Sequence, residues 1–215
     1  MFGIDNKIIQ LGLEIKNSEK PVRDLSNHRR WAFDHSHFNK VKDLFGNLSF
    51  VQGAVFWHNE PYPIHVDVYD PRNKTNLLIP LHIDEFQEFI IFDQEYDGSM
   101  TWKNKADKNI KKSQYSDAPK STTGLRPCDT DGVVGLTGTH IDNELGSKLP
   151  EHDDFYFGLS GRSYEWKPGI GMAFESKRLH ATGKMHGDYF KTGMALWFTN
   201  TTEEVIQHFK GELQC

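Results

Sequence analysis

Five of the eleven histidines in this chain are followed two residues later by an aspartate: His65/Asp67, His82/Asp84, His140/Asp142, His152/Asp154 and His186/Asp188. On a β-strand, positions i and i+2 point to the same face. Such a pair can offer an imidazole and a carboxylate to adjacent positions around one metal ion. A second imidazole from a distant strand would complete a facial triad, which suits Fe(II) and leaves the remaining positions open to a substrate, a cosubstrate or O₂. Five pairs cannot all serve this purpose, so the surroundings of each must choose among them.

His65 and Asp67 lie in NEPYPIHVDVYD, where Ile64, Val66 and Val68 would face one side of a strand. His65, Asp67 and Tyr69 would face the other. A solvated polar strip explains that local pattern as well as a site does. The segment that favours a site is WKPGIGMAFESKRLHATG, where Pro168–Gly169 turns into an apolar strand and Arg178–Leu179–His180 enters the next. His82 follows the apolar run LLIPL, and its Asp84 begins a turn; a role in that turn or behind a metal ligand is expected. His140/Asp142 and His152/Asp154 fall in a polar stretch and read as loop chemistry.

These residues need strands to hold them. Phe50–Trp57, Ile64–Tyr69, Asn76–Ile83 and Glu88–Phe92 read as strands, as do Asp154–Leu159, Tyr164–Trp166, Gly171–Glu175, Arg178–Ala181 and Phe190–Thr199. Pro80 inside the third run predicts an edge, a bulge or a bend. Few helix-length segments separate the strands, which excludes a βαβ architecture and points to a jelly roll or closed barrel. The expected fold is all-β dominated, a double-stranded β-helix with flanking N- and C-terminal helices. A single domain over 1–215 is expected, with the barrel at about 50–200 and an irregular insert at about 97–150 that serves as a flap or lid.

The first 50 residues read as a cover: a short strand through Ile8–Ile15, then a helix from His37 to Leu44 that turns Phe38, Val41 and Leu44–Phe45 inward over Trp31 and Phe33. At the other end, Thr201 and Glu204 have the spacing of a helical capping box.

Composition bounds the rest. With 15 Phe, 7 Tyr and 5 Trp, the apolar fraction of 37% leans toward sheet. The two cysteines, Cys128 and Cys215, make no disulfide framework, so a reducing, cytoplasmic setting is expected. Neither a signal peptide nor a membrane-spanning run is expected. Net charge is −5 with mixed signs, and the basic cluster Lys103–Lys112 reads as a solvated loop. Nucleic acid is therefore not an expected partner, and a small-molecule or peptide substrate is; the sequence leaves the oligomeric state unknown.

The order PYPIHVDVYD, NLLIPLHID, WKPGIGMAFESKRLHATG, FKTGMALWF resembles the Fe(II)/2-oxoglutarate-dependent oxygenase superfamily over roughly residues 50–200. The resemblance implies that His65, Asp67 and His180 bind Fe(II), with 2-oxoglutarate and O₂ as cosubstrates and hydroxylation of a C–H bond as the outcome. The family's arginine for the distal carboxylate of 2-oxoglutarate is absent, and Lys191 takes its place, 11 residues after His180. The small hydroxyl residue two positions further on is replaced by Gly193. Asn76 and Leu78 resemble positions that line the oxoglutarate slot, with Tyr62 and Tyr69 beside them. Asp67 occupies the position that a halogenase leaves open, which disfavours halogenation. Two other classes stay open. A cupin-type metalloenzyme without oxoglutarate would need an H-x-H pair, and His35/His37 is the only one. A non-enzymatic β-sandwich binding or structural module would need no metal; in it, His65, Asp67 and His180 would not converge.

Overall fold

The structure, a computed structural model, describes residues 1–59, 67, 72–95, 161–183 and 189–212, together with the backbone of 102–104 and 125–127. Its elements run β1 (Phe2–Gly3), α1 (Asn6–Ser18), β2 (Arg23–Asp24), β3 (His28–Phe33), α2 (His35–Val41) and a 3₁₀ turn at Lys42–Leu44. There follow β4 (Phe50–His58), β5 (Thr75–Ile83), β6 (Glu88–Glu95), β7 (Trp102–Asn104) and β8 (Leu125–Pro127). The chain continues through β9 (Gly161–Glu165), β10 (Ile170–Glu175), β11 (Arg178–Thr182), β12 (Lys191–Phe198) and α3 (Thr202–Glu212).

Two antiparallel sheets carry the site. The larger has the order β1-β10-β5-β12-β4-β3-β2 and the smaller the order β11-β6-β9; β7 and β8 pair with each other. From β5 onward the chain passes back and forth between the two main sheets, which gives the strand order of a double-stranded β-helix. The expected closed barrel is corrected: among the described residues no ladder joins the two sheets. Instead β3 and β2 extend one side of the larger sheet and β1 the other. Helices α1, α2 and α3 add a substantial helical layer, so the fold mixes α and β rather than being dominated by β.

β12 shows how the layers form. All eight of its residues are buried, as expected of a strand covered on both faces. Met194, Leu196 and Phe198 join a core with Ile8, Leu11, Ile15, Val205 and Phe209 from α1 and α3. The alternate residues Ala195 and Trp197 join a second core with Phe89, Phe174 and Trp166 on the side of the smaller sheet. Lys191 and Gly193 share that inner face by the period of two.

The expected strand at Ile8–Ile15 is helix α1. Its buried Ile8, Leu11 and Ile15 recur at helical spacing, and Asp5 caps it by accepting from the Lys7 amide at 2.7 Å. The isoleucines satisfy a strand and a buried helix face equally, and a short apolar run does not separate the two. The expected helix at His37–Leu44 begins earlier, at His35, and ends in the 3₁₀ turn. β3, holding Trp31 and Phe33, is a strand that the sequence pattern does not announce. Pro80 sits within β5 between β10 and β12, not at an edge, and a register shift opposite Thr192/Gly193 marks the bulge that accommodates it. The Thr201/Glu204 box forms as expected: Glu204 accepts from the Thr201 amide at 2.7 Å, and the Thr201 hydroxyl accepts from the Glu204 amide at 3.3 Å. The strand expected at Ile64–Tyr69, apart from Asp67, lies outside the described residues, as do the one at Asp154–Leu159 and most of the insert. Among the described residues no helix is long and apolar enough to cross a membrane.

Candidate functional site

A cavity lies between the two sheets. From the larger sheet it is lined by Ala54, Phe56 and His58 on β4, Asn76 and Leu78 on β5, and Lys191, Ala195 and Trp197 on β12. The smaller sheet contributes Phe89, His180 and Thr182, and the β2–β3 hairpin contributes Arg23, His28 and Arg30.

His180 and Asp67 meet on one wall. His180 Nε2 stands 3.5 Å from Asp67 Oδ2, and both residues are buried. The other ring nitrogen, Nδ1, lies 2.9 Å from the carbonyl oxygen of Arg178. A carbonyl can only accept, so Nδ1 carries a proton, and Nε2 is the ring nitrogen that faces the cavity. The rings of Phe89 and Phe174, with centroids 5.6 and 4.9 Å from that of His180, fix its plane.

Asp67 is held in turn. The Asn76 side chain donates to Asp67 Oδ2 at 3.3 Å, and Asn73 donates to Asn76 Oδ1 and to the Asp67 carbonyl, both at 3.0 Å. Ser176 anchors Asn73 by donating to its carbonyl at 2.8 Å. Residues from β5 and its approach, with one from the β10–β11 turn, thus aim a single carboxylate.

A divalent ion fits between these two groups. Ligand atoms each about 2.1 Å from one ion stand about 3.0 to 3.4 Å apart at octahedral or tetrahedral angles. The observed 3.5 Å is close to that spacing and long for a direct hydrogen bond. His65 and Tyr69 lie outside the described residues. Among the described residues no three His, Cys, Asp or Glu side chains cluster closely enough to form a metal site alone.

Lys191 is the second unusual feature. It is 1% exposed, and its ammonium has no hydrogen-bond partner among the described residues. Its Nζ lies over the face of Trp166, 4.3 Å from the ring centroid. Burial alone holds its pKa well below the usual lysine range. A buried amine without a partner is destabilising, and a carboxylate entering the cavity would supply the missing partner.

Gly193 has a reason to be glycine. A Cβ there would lie 2.6 Å from Phe56 Cζ and 2.7 Å from two Trp166 ring carbons. These aromatic rings occupy the space that a hydroxyl side chain would need, and Trp166 is the ring that backs Lys191.

The rival histidines have other duties. His82 Nε2 lies 3.0 Å from Asp84 Oδ1, and its half-exposed ring stacks on Phe190 away from the cavity. His37 closes the capping box of α2 with Asp34 and pairs with Glu19, while His35 packs edge-on against Phe50. The H-x-H pair that a cupin would need is therefore spent on the N-terminal helix. Trp197 lines the cavity as part of the inner core, whereas Trp57 packs on the opposite core beside Phe190.

Sequence reasoning missed His28 and His58 and the cations Arg23 and Arg30. A signal existed in HRRWAF: Trp31 and Phe33 face the helices, so His28 and Arg30 must face the other way. His28 has its pKa pushed down to about 4, first by burial and then by Arg23 and Arg30.

No protein-family profile matches the chain, and neither does any curated protein. Solved structures share its chain path distantly. A 2OG-Fe(II) oxygenase-family oxidoreductase from Burkholderia pseudomallei is 9% identical with a TM-score of 0.45, covering 90% of this chain and 76% of that one. The non-haem alpha-ketoglutarate-dependent carbocyclase SnoK of nogalamycin biosynthesis is 6% identical with a TM-score of 0.46, covering 91% and 76%. Oxalate decarboxylase is 9% identical with a TM-score of 0.38, covering 84% of this chain and 28% of that one.

Proposed function

We propose that this chain is a non-haem Fe(II)- and 2-oxoglutarate-dependent oxygenase that hydroxylates a C–H bond of a small-molecule or peptide substrate. The observation that carries the reading is one cavity holding both a metal-ready His180–Asp67 pair and a buried Lys191 that has no hydrogen-bond partner among the described residues. His180 and Asp67 would hold the ion with His65 as third ligand. Bound there, Fe(II) would supply oxidative chemistry that converts 2-oxoglutarate and O₂ to succinate and CO₂ while the substrate C–H becomes C–OH.

The chain's own residues would do the rest. The Arg178 carbonyl accepts from Nδ1 of His180 and so turns Nε2 toward the cavity, and Asn76 with Asn73 keeps one oxygen of Asp67 turned into the cavity. Lys191 would neutralise the distal carboxylate of 2-oxoglutarate as a point charge, without the two-pronged geometry of arginine. Asn76 and Leu78 line the cavity beside that path, and the aromatic walls Phe89, Phe174 and Trp166 exclude water from it.

The test is anaerobic addition of Fe(II) and then 2-oxoglutarate, followed by visible absorption. A charge-transfer band from the chelated metal is expected in the wild type, absent in His180→Ala and weakened in Lys191→Met. Fe(II) binding without any band would abandon oxoglutarate in favour of a cosubstrate-free metalloenzyme. An absence of metal binding would leave a non-enzymatic binding module.

A further inference from the structure

The cavity also draws cations from a part of the fold that neither the metal nor the oxoglutarate reading uses. In the β2–β3 hairpin two cross-strand pairs stand side by side: Asp24 opposite Arg29, and Arg23 opposite Arg30. The first is an ion pair, Arg29 Nε to Asp24 Oδ1 at 2.8 Å, and Arg29 covers Trp57 on the outer face. The second sets two arginines against each other, and both line the cavity. Like charges directly opposite on paired strands are destabilising. The hairpin thus places its one acid on the outer pair and leaves like charges on the inner one.

Position gives that choice a purpose. Arg30 begins on the row of the sheet that runs through Phe56 to Gly193, yet its guanidinium lies 5.9 Å from the ring centre of Trp197. Trp197 is the register partner of Asn76, and Asn76 holds Asp67. The Arg30 guanidinium therefore extends along the cavity toward the proposed metal, away from the Lys191 row. Arg23 is exposed, so the same cavity opens to solvent beside it. Among the described residues that line the cavity, Asp67 is the only carboxylate, against Arg23, Arg30 and Lys191.

We propose that Arg30, assisted by Arg23, is an oxyanion grip for the substrate, so that the molecule oxidised beside Asp67 and His180 carries a carboxylate or phosphate group. Guanidinium forks match both groups in a two-pronged, planar fashion. An anion between the two arginines would also remove their mutual repulsion. The identity of the molecule as substrate rests on the oxygenase reading, whereas the anion site does not.

The test is calorimetric titration of the metal-free protein with succinate and, separately, with inorganic phosphate. Both are run in a Lys191→Met background, so that the deep amine is removed, and in the wild type. Binding of at least one probe is expected, weakened about tenfold or more by Arg30→Gln, less by Arg23→Gln, and partly restored by Arg30→Lys. The tighter probe identifies the anionic group. No binding of either probe, or equal binding by Arg30→Gln, overturns the grip. Anion binding in a protein that gives no Fe(II)–oxoglutarate band would keep the grip and remove the oxygenase reading, and the reverse result would do the opposite.

Discussion

His180 and Asp67 face each other through Nε2 and Oδ2 at 3.5 Å, with His180 Nδ1 engaged by the Arg178 carbonyl and the Asp67 carboxylate steadied by Asn76. The facing atoms are therefore the ones that can bind an ion, and the partners behind them only orient them. Two substitutions separate these roles. His180→Ala removes a ligand and is expected to weaken Fe(II) or Mn(II) binding by more than about 100-fold, beyond the range for supporting partners. Asn76→Leu removes an orienting bond and is expected to weaken it by about 10- to 100-fold. Metal titrations in which both variants match wild type would remove the site.

Much of this arrangement is legible in the amino-acid sequence. The inner-face strands from β4 to β12 announce themselves through apolar runs broken by glycine and proline, and His180 and Asp67 stand out by spacing and neighbourhood. Helix α1 is not legible, because Ile8, Leu11 and Ile15 fit a buried strand or a helix seam until the opposing sheet is known. Nor is the role of β3: Arg30 faces the cavity only because Trp31 packs against the helices, and that depends on β3 pairing with β4. The open sheets are hidden for a similar reason. Whether a jelly roll closes depends on strands added at its edges, and β1, β2 and β3 are short or polar enough to read as coil.

Gly193 offers a test of packing around the amine. Gly193→Ser would drive a Cβ into Phe56 and Trp166, two rings already packed against each other at 6.1 Å between centroids. Overpacking of this kind costs about 1 to 3 kcal/mol. A lower midpoint in urea unfolding is expected, together with a weaker response to 2-oxoglutarate because Trp166 backs Lys191. An unchanged midpoint would mean that the rings yield without cost.

His28 makes stability depend on pH in a defined window. Its folded pKa of about 4 lies below the ordinary histidine value of 6.5. Between those values the unfolded chain binds a proton that the folded chain refuses, so this group makes stability rise with pH across the window and fall on acidification from 6.5 toward 4. Burial enforces it first, then the charges of Arg23 and Arg30; the His58 ring stands edge-on at 6.4 Å between centroids. His28→Gln should flatten the slope of urea midpoint against pH over that interval. If the slope of the variant matches that of wild type, His28 is not the group responsible.

Lys191 should show opposite signs in stability and in binding. In the free protein its ammonium is buried with no hydrogen-bond partner among the described residues, and leaving such a donor unsatisfied costs about 1 to 3 kcal/mol. Methionine has nearly the same length and no charge, so Lys191→Met is expected to stabilise the free protein by that amount, raising Tm by about 2 to 4 °C for each kcal/mol. The same change removes the only fully buried cation facing the cavity among the described residues, so 2-oxoglutarate should raise Tm much less in the variant than in wild type. Because the folded amine has a depressed pKa, its cost is greatest below that value and diminishes as pH rises toward the ordinary lysine range. The stability gap between variant and wild type should therefore narrow in alkali. A variant less stable than wild type at neutral pH would mean that the amine has a partner in solution, and a variant stabilised by 2-oxoglutarate as much as wild type would move the cosubstrate's carboxylate elsewhere.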